Sequence, residues 1–141
     1  MKDVSFGLYL RENKVIVVPS AWGRDIDPVM IVEPVDAEVQ QAIEKAIELS
    51  GNTPAPPEYA PKDWPVLKAL GLKSARAFYE NVAHVGVLIY EGNIQVDPMD
   101  PTKKGQAFEQ VQKSISVPDI KSLGPAALKA LKEARPMKSK S

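Results

Sequence analysis

A chain of 141 residues, 44% apolar and 26% charged, is sized for one domain with one hydrophobic core and falls outside the disordered and fibrous classes. It has no cysteine, which excludes disulfides, thiolate metal sites and a cysteine nucleophile. The formal net charge is zero, but residues 1–100 hold 9 Lys+Arg against 15 Asp+Glu, a net of −6, while residues 101–141 hold 9 against 3, a net of +6.

Val4 to Arg11 alternates apolar and polar residues loosely, and Val15 to Val18 is a continuous β-branched run of the kind buried on both faces of a sheet. The polar turn Glu12-Asn13-Lys14 between them predicts an antiparallel hairpin. Residues 19–28, with two prolines and a glycine, read as a loop, and Val29 to Glu33 as a third short strand stopped by Pro34. Asp36 is placed to cap a helix over 37–50, where Val39, Ala42, Ile43, Ala46 and Ile47 recur on one helical face. Gly51 is its expected stop.

The proline-rich connector 51–61 reads as an ordered surface loop, since neither side is long enough to fold well alone. Asp63 can cap a short helix ending at Leu70, broken by Gly71. Ser74 can cap another over 75–81, with Phe78 and Val82 facing inward. Val85 to Tyr90 and Ile94 to Val96 predict a second hairpin around Glu91-Gly92-Asn93, ended by Asp97-Pro98. A polar loop over 99–105 comes next. Ala107 to Val111 and Ser114 to Val117 read as extended, although Ala107 to Gln112 also suits a helix. Pro125 suits the first turn of a last helix striped by Leu128 and Leu131. The predicted class is α+β: a central, mainly antiparallel or mixed sheet of about 5–6 strands with helices packed against it. The strands are not separated by regular crossover helices, which disfavours a doubly wound parallel sheet.

Catalytic patterns are sparse. The single histidine, His84, lies beside an apolar strand, where a structural role outweighs a triad with Ser20 or Ser74, and no G-x-S-x-G elbow accompanies it. Asp25 and Asp27 supply fewer oxygens than a hard cation needs, and the EF-hand glycine and glutamate are missing. Their plainer reading is capping of backbone amides or contact with a basic partner. Glu12-x-Lys14 and Pro118-Asp119 are fragments of a metal-nuclease motif in reverse order. No phosphate loop, dinucleotide fingerprint or zinc-protease motif occurs, so no cofactor and no metal is expected. Trp22 and Trp64 each sit in or beside a proline-marked loop next to charges; a lid over a core edge is the first reading of each and an interface anchor the second. The basic segment 101–141 lacks interleaved aromatics, which disfavours nucleic-acid binding. No run approaches the roughly 20 apolar residues of a membrane span, and the N-terminus lacks a signal-peptide pattern. A soluble, cytoplasmic protein is expected.

The hairpin with its P-S-A-W loop, followed by D-I-D-P-V-M-I-V-E-P, resembles the immunity proteins of bacterial contact-dependent growth inhibition systems, the CdiI family. The segments L-K-S-A-R-A-F-Y, V-G-V-L-I-Y-E-G-N-I-Q-V-D-P and K-K-G-Q-A-F look like the second half of the same family, so the resemblance spans roughly residues 5–118. With the tail from Pro136 to Ser141 expected to fray, it implies a single immunity-protein-like domain over 1–135. It also implies a non-enzymatic inhibitor that binds the C-terminal toxin domain of a cognate CdiA effector, often a nuclease, in the cytoplasm. An acidic face on such an inhibitor would speed capture of a basic toxin. The resemblance transfers no interface residue. Chemistry alone nominates Trp22, Asp25 and Asp27 in the first loop and Asp97 and Asp100 after the second hairpin. Two other classes remain open: a metal-dependent nuclease using Asp25, Asp27 and Glu33, and a small nucleic-acid binder using residues 101–141.

Overall fold

The computed structural model describes residues 3–54, 58–60, 63–101, 108–110 and 113–134. The strands are β1 (Val4–Arg11), β2 (Lys14–Ala21), β3 (Arg24–Asp25), β4 (Met30–Val32), β5 (Ala83–Tyr90), β6 (Asn93–Pro101), β7 (Phe108–Glu109) and β8 (Ile115–Val117). The helices are α1 (Asp36–Asn52), α2 (Pro65–Leu70), α3 (Ala75–Tyr79) and α4 (Leu123–Glu133), the last entered through a 3-10 turn at Ile120–Ser122. Among the described residues all pairings are antiparallel, in the order β3-β2-β1-β5-β6-β7, with β4 also on β2 and β8 also on β6. The α+β sheet expected from the sequence is therefore present. No described helix is long and apolar enough to cross a membrane.

Three hairpins share one turn geometry. Glu12-Asn13, Trp22-Gly23 and Glu91-Gly92 each have both φ angles positive and each lie between paired strand residues, Arg11↔Lys14, Ala21↔Arg24 and Tyr90↔Asn93. These are two-residue type I′ turns, whose twist matches that of the flanking strands. Lys14 and Asn93, read from sequence as turn residues, are instead the first residues of strands.

The two proline-based strand ends also need correction. Residues 19–28 do not form one loop, because β2 continues through Pro19 to Ala21 and then turns back as β3. Likewise β6 does not end at Asp97-Pro98 but runs on to Pro101. Both cases have one cause. Pro19 lies between the part of β2 paired with β4 (Val15–Val17) and the part paired with β3 (Ser20–Ala21). Pro98 lies between the parts of β6 paired with β8 (Ile94–Val96) and β7 (Asp100–Pro101). On each outer edge the proline falls in the gap between two short strands, where a missing N–H breaks no ladder bond.

Two apolar clusters cover the two faces of the sheet. On the first face Val4, Phe6, Leu8, Val15, Val17, Val85, Val87, Ile89 and Val96 meet Val39, Ile43 and Ala46 of α1 and Leu123, Ala127, Leu128 and Leu131 of α4. On the second, Tyr9, Ile16 and Val18 meet Val66 and Leu67 of α2 and Phe78 and Val82 around α3. Val15 to Val18 are 0–1% exposed, as a strand covered on both faces requires.

Helix ends depart from expectation in detail. Asp36 is not a cap: α1 starts with it, after Val35, and no side chain caps that end. Its carboxylate and that of Glu38 instead sit in the first turn, where the helix dipole favours negative charge. Gly51 does not stop α1, which continues to Asn52. Asp63 caps nothing; Pro65 begins α2 after Trp64, and Gly71 closes it in the left-handed conformation at φ 69°. Ser74 does cap α3, accepting from the Ala77 N–H at 3.2 Å, although α3 ends at Tyr79 rather than 81. Residues 55–57 and 61–62 of the connector, 102–107 with most of K-K-G-Q-A-F, 111–112, and the whole tail 136–141 lie outside the described residues.

Candidate functional site

The nominated residues fall into two groups towards opposite edges of the sheet. Trp22 and Asp25 belong to the β2–β3 hairpin and Asp27 to the segment just after it, whereas Asp97 and Asp100 belong to β6. From β3 to β6 there are four inter-strand steps, about 19 Å at the usual strand spacing. The structure does not bring the five together. Asp97 and Asp100 are also separated from each other, because positions three apart on a strand face opposite sides.

At the first group, the type I′ turn sets Trp22 at the hairpin tip with φ 57° and 76% of its surface exposed. A lid over a core edge is thereby excluded for Trp22. Its indole N–H donates to the Thr53 carbonyl at 3.3 Å, just beyond the C-terminus of α1. Trp64 does behave as a lid: half-buried, it packs edge-on against Phe78 with centroids 5.4 Å apart.

Asp25 is the centre of this group. One carboxylate oxygen accepts from the Ser20 hydroxyl at 2.9 Å and the other from the Trp64 indole N–H, while the Asp25 carbonyl accepts from the Tyr59 hydroxyl at 3.1 Å. The partners of its carboxylate are thus side-chain donors, and not the backbone amides that are one of the two plainer readings of the sequence. Burial first, and the Asp25 charge second, push the Tyr59 and Tyr79 phenols above their ordinary range. Arg24 and Glu58 form an ion pair at 3.1 Å. Gly23, Arg24, Asp25, Glu58 and Tyr59 line an open cleft. Asp27 is exposed, and Glu33 pairs instead with Lys14. Among the described residues no three His, Cys, Asp or Glu side chains converge as a metal group, so Asp25, Asp27 and Glu33 are not assembled into one.

Sequence reasoning missed Tyr59 and Glu58 because the proline-rich connector has no periodicity to place them. It missed the hairpin because Pro19 masked the strand. The available signal was Trp22-Gly23 itself, since a glycine at the second position of a two-residue loop suits a type I′ turn.

The second group is a polar network. Asp97 accepts from Gln95 at 3.1 Å, from Gln110 at 3.3 Å and from the Ser114 hydroxyl. In the sheet row beside it lie Gly86 and Gly7, and the His84 ring covers Gly7, 3.1 Å from where a Cβ would stand. The row's neighbour His84 stacks on Tyr9 at 4.2 Å, and its Nδ1–H donates to the Leu8 carbonyl at 2.9 Å. Burial lowers the His84 pKa to about 4, against the weaker opposing effect of that bond. The imidazole is therefore neutral at pH 7 and structural in its contacts.

This lowered pKa makes stability depend on pH. The unfolded chain binds a proton near pH 6.5 and the folded one only near 4, so stability is full above pH 6.5 and falls as pH drops towards 4. Between pH 7.5 and 5 the loss is about 2 kcal/mol from this one group. Urea denaturation of a His84→Asn variant at the two pH values should show a much smaller difference than the parent. An equal difference in both would assign the slope elsewhere.

No protein-family model and no curated protein matches the sequence. Solved structures do match over nearly the whole chain. A protein of unknown function from Neisseria meningitidis superposes with a TM-score of 0.66 at 19% identity, covering 95% of this chain and 96% of that one. A chain of a CdiA-CT/CdiI toxin and immunity complex from Yersinia pseudotuberculosis superposes with a TM-score of 0.65 at 14% identity, covering 96% and 99%. At these identities the likeness establishes a shared fold, and that fold occurs in a toxin and immunity complex.

Proposed function

We propose that this protein is an immunity protein. It binds the C-terminal toxin domain of a cognate contact-dependent growth inhibition effector, a nuclease in this reading, and neutralises it in the cytoplasm by stoichiometric binding. The observation that carries the proposal is the end-to-end fold likeness to a chain of a CdiA-CT/CdiI complex, with nearly all of both chains covered. The acidic balance of residues 1–100 supports capture of a basic partner by electrostatic steering. The exposed Trp22 supports an interface, since tryptophan is enriched among residues that dominate binding energy. Asp25, Asp27, Asp97 and Asp100 are the acidic contacts proposed with it, in two patches.

The test is co-expression with the toxin domain encoded beside this gene. A one-to-one complex by size exclusion, and survival of cells that otherwise die from the toxin, are expected. Separate elution at micromolar concentration together with unprotected cells would sink the proposal.

A further inference from the structure

We infer that the cleft beside the β2–β3 hairpin tip receives an arginine side chain from the surface of a partner protein. The inference rests on the reading of this chain as a protein-binding inhibitor, and it names the chemistry by which the partner is held.

The first observation is a conflict at Trp22. The leading position of a type I′ turn favours Asn, Asp or Gly, because φ is positive there. A tryptophan at φ 57° is held against that preference, yet its ring is 76% exposed and gains little from burial. Glu12 and Glu91 hold the same turn position in the other two hairpins, but they are polar, whereas Trp22 leaves a large aromatic ring in solvent. The ring is also not loose: its N–H is fixed on the Thr53 carbonyl, so an aromatic face is held at a defined place on the surface. Such pre-ordering lowers the entropy cost of contact.

The second observation is what surrounds the cleft. The Asp25 carboxylate is fixed by Ser20 and Trp64, one donor on each oxygen, where a carboxylate has room for about four. Tyr59 is held over the same residue by its hydroxyl and keeps 36% of its surface exposed. Glu58 has 88% of its side chain in solvent. Among the described residues, the Tyr59 ring and the carboxylates of Asp25 and Glu58 line one opening with Gly23 and the guanidinium of Arg24, and Trp22 precedes Gly23 at its rim in the chain. The Trp22 ring itself meets, at Thr53, the end of α1, a 17-residue helix with no basic residue in its last turn, so the negative end of its dipole is not answered there by its own side chains.

Aromatic faces and carboxylates around one cleft are the chemistry of cation recognition. Arginine fits better than lysine, because a planar guanidinium can stack on a ring while its fork meets a carboxylate. The Arg24–Glu58 pair shows that a guanidinium already meets carboxylate at this opening. That pair is exposed and so contributes little to stability, which leaves Glu58 able to turn to a second guanidinium.

The experiment titrates the isotopically labelled full chain with the peptide acetyl-Gly-Arg-Gly-Arg-Gly-amide, and in parallel with its lysine and citrulline counterparts. The readouts are the Gly23 and Tyr59 amides and the Trp22 indole N–H, the last assigned with Trp22→Phe. The arginine peptide should shift these signals at roughly 1 mM, with weaker response to lysine and none to citrulline. Glu58→Gln, at an exposed site remote from the core, should weaken the response several-fold, as should added salt. No shift with arginine, or equal shifts with citrulline, would overturn the inference. In the toxin complex, Trp22→Ala should weaken binding about 30-fold. A complex that forms with undiminished affinity in both Trp22→Ala and Glu58→Gln removes this cleft and leaves the proposed function standing. Arginine binding without any toxin complex does the reverse.

Discussion

Gly124→Ala should destabilise the protein by about 3 kcal/mol and lower its melting temperature by about 10 °C. The usual expectation has the opposite sign, because replacing a helical glycine by alanine gains about 0.5–1 kcal/mol of backbone entropy and propensity. Here the added Cβ would meet Gln40 at 2.7 Å from its Cβ and 2.8 Å from its Cα. Those atoms belong to α1 itself and cannot swing away, so the two helices must separate. The separation is doubly costly because Gln40 stitches the helices together. Its Oε1 accepts from the Gly124 N–H, and its Nε2 donates to the Ile120 carbonyl at 2.8 Å. The first bond satisfies one of the N–H groups that the start of α4 leaves without an intrahelical partner. Gln40→Ala should therefore cost about 1–2 kcal/mol by itself. It should not rescue Gly124→Ala, since alanine at 40 keeps both clashing atoms. Thermal and urea denaturation of the two single variants and the double variant test this. A neutral or stabilising Gly124→Ala would mean that α1 and α4 do not pack this closely.

That contact was invisible in the sequence, while the apolar stripes that place the two helices on the sheet were not. Val39, Ala42, Ile43 and Ala46 carry the period of α1, and the β-branched run Val15 to Val18 reads directly as a strand buried on both sides. Both signals depend on burial, which periodicity reports well. The errors came where local chemistry was read without knowing the neighbouring strand. Pro19 and Pro98 looked like strand ends because a proline in a paired strand forfeits a ladder bond. They sit inside strands because each outer edge carries two short strands with a gap between them. Asp36 and Asp63 have the right residue type for a cap but lie one residue from where the chain needs it. The candidate cleft was half legible. Trp22 and Asp25 stood out as an aromatic and a carboxylate in a turn-rich stretch. Tyr59 reaches Asp25 by a long-range hydrogen bond and Glu58 reaches Arg24 by an ion pair, neither of which any spacing rule encodes.

Phe78→Ala should be the most damaging single truncation on the second face, at about 4 kcal/mol. Phe78 is fully buried, and its ring meets Tyr9 edge-on at 4.8 Å, Trp64 at 5.4 Å and Tyr79 at 5.5 Å. It is carried by α3, which has five residues. A helix that short has no stability of its own, so packing of this ring is what holds α3 to the sheet. Phe78→Leu keeps much of the apolar volume and should cost less than half as much. The consequence reaches the cleft, because the Trp64 indole that leans on Phe78 also donates to Asp25. With the ring gone, Trp64 has less to fix its orientation, and the Asp25 carboxylate loses a steady partner. Trp64 emission should then shift to the red in the folded variant, and the response of Gly23 and Tyr59 to an arginine peptide should weaken. Phe78→Leu should leave both nearly as they are. If Phe78→Ala cost under about 1 kcal/mol, the second face would be a loose cover rather than a core. The fixed geometry of Asp25 would then need a support other than the aromatic cluster behind it.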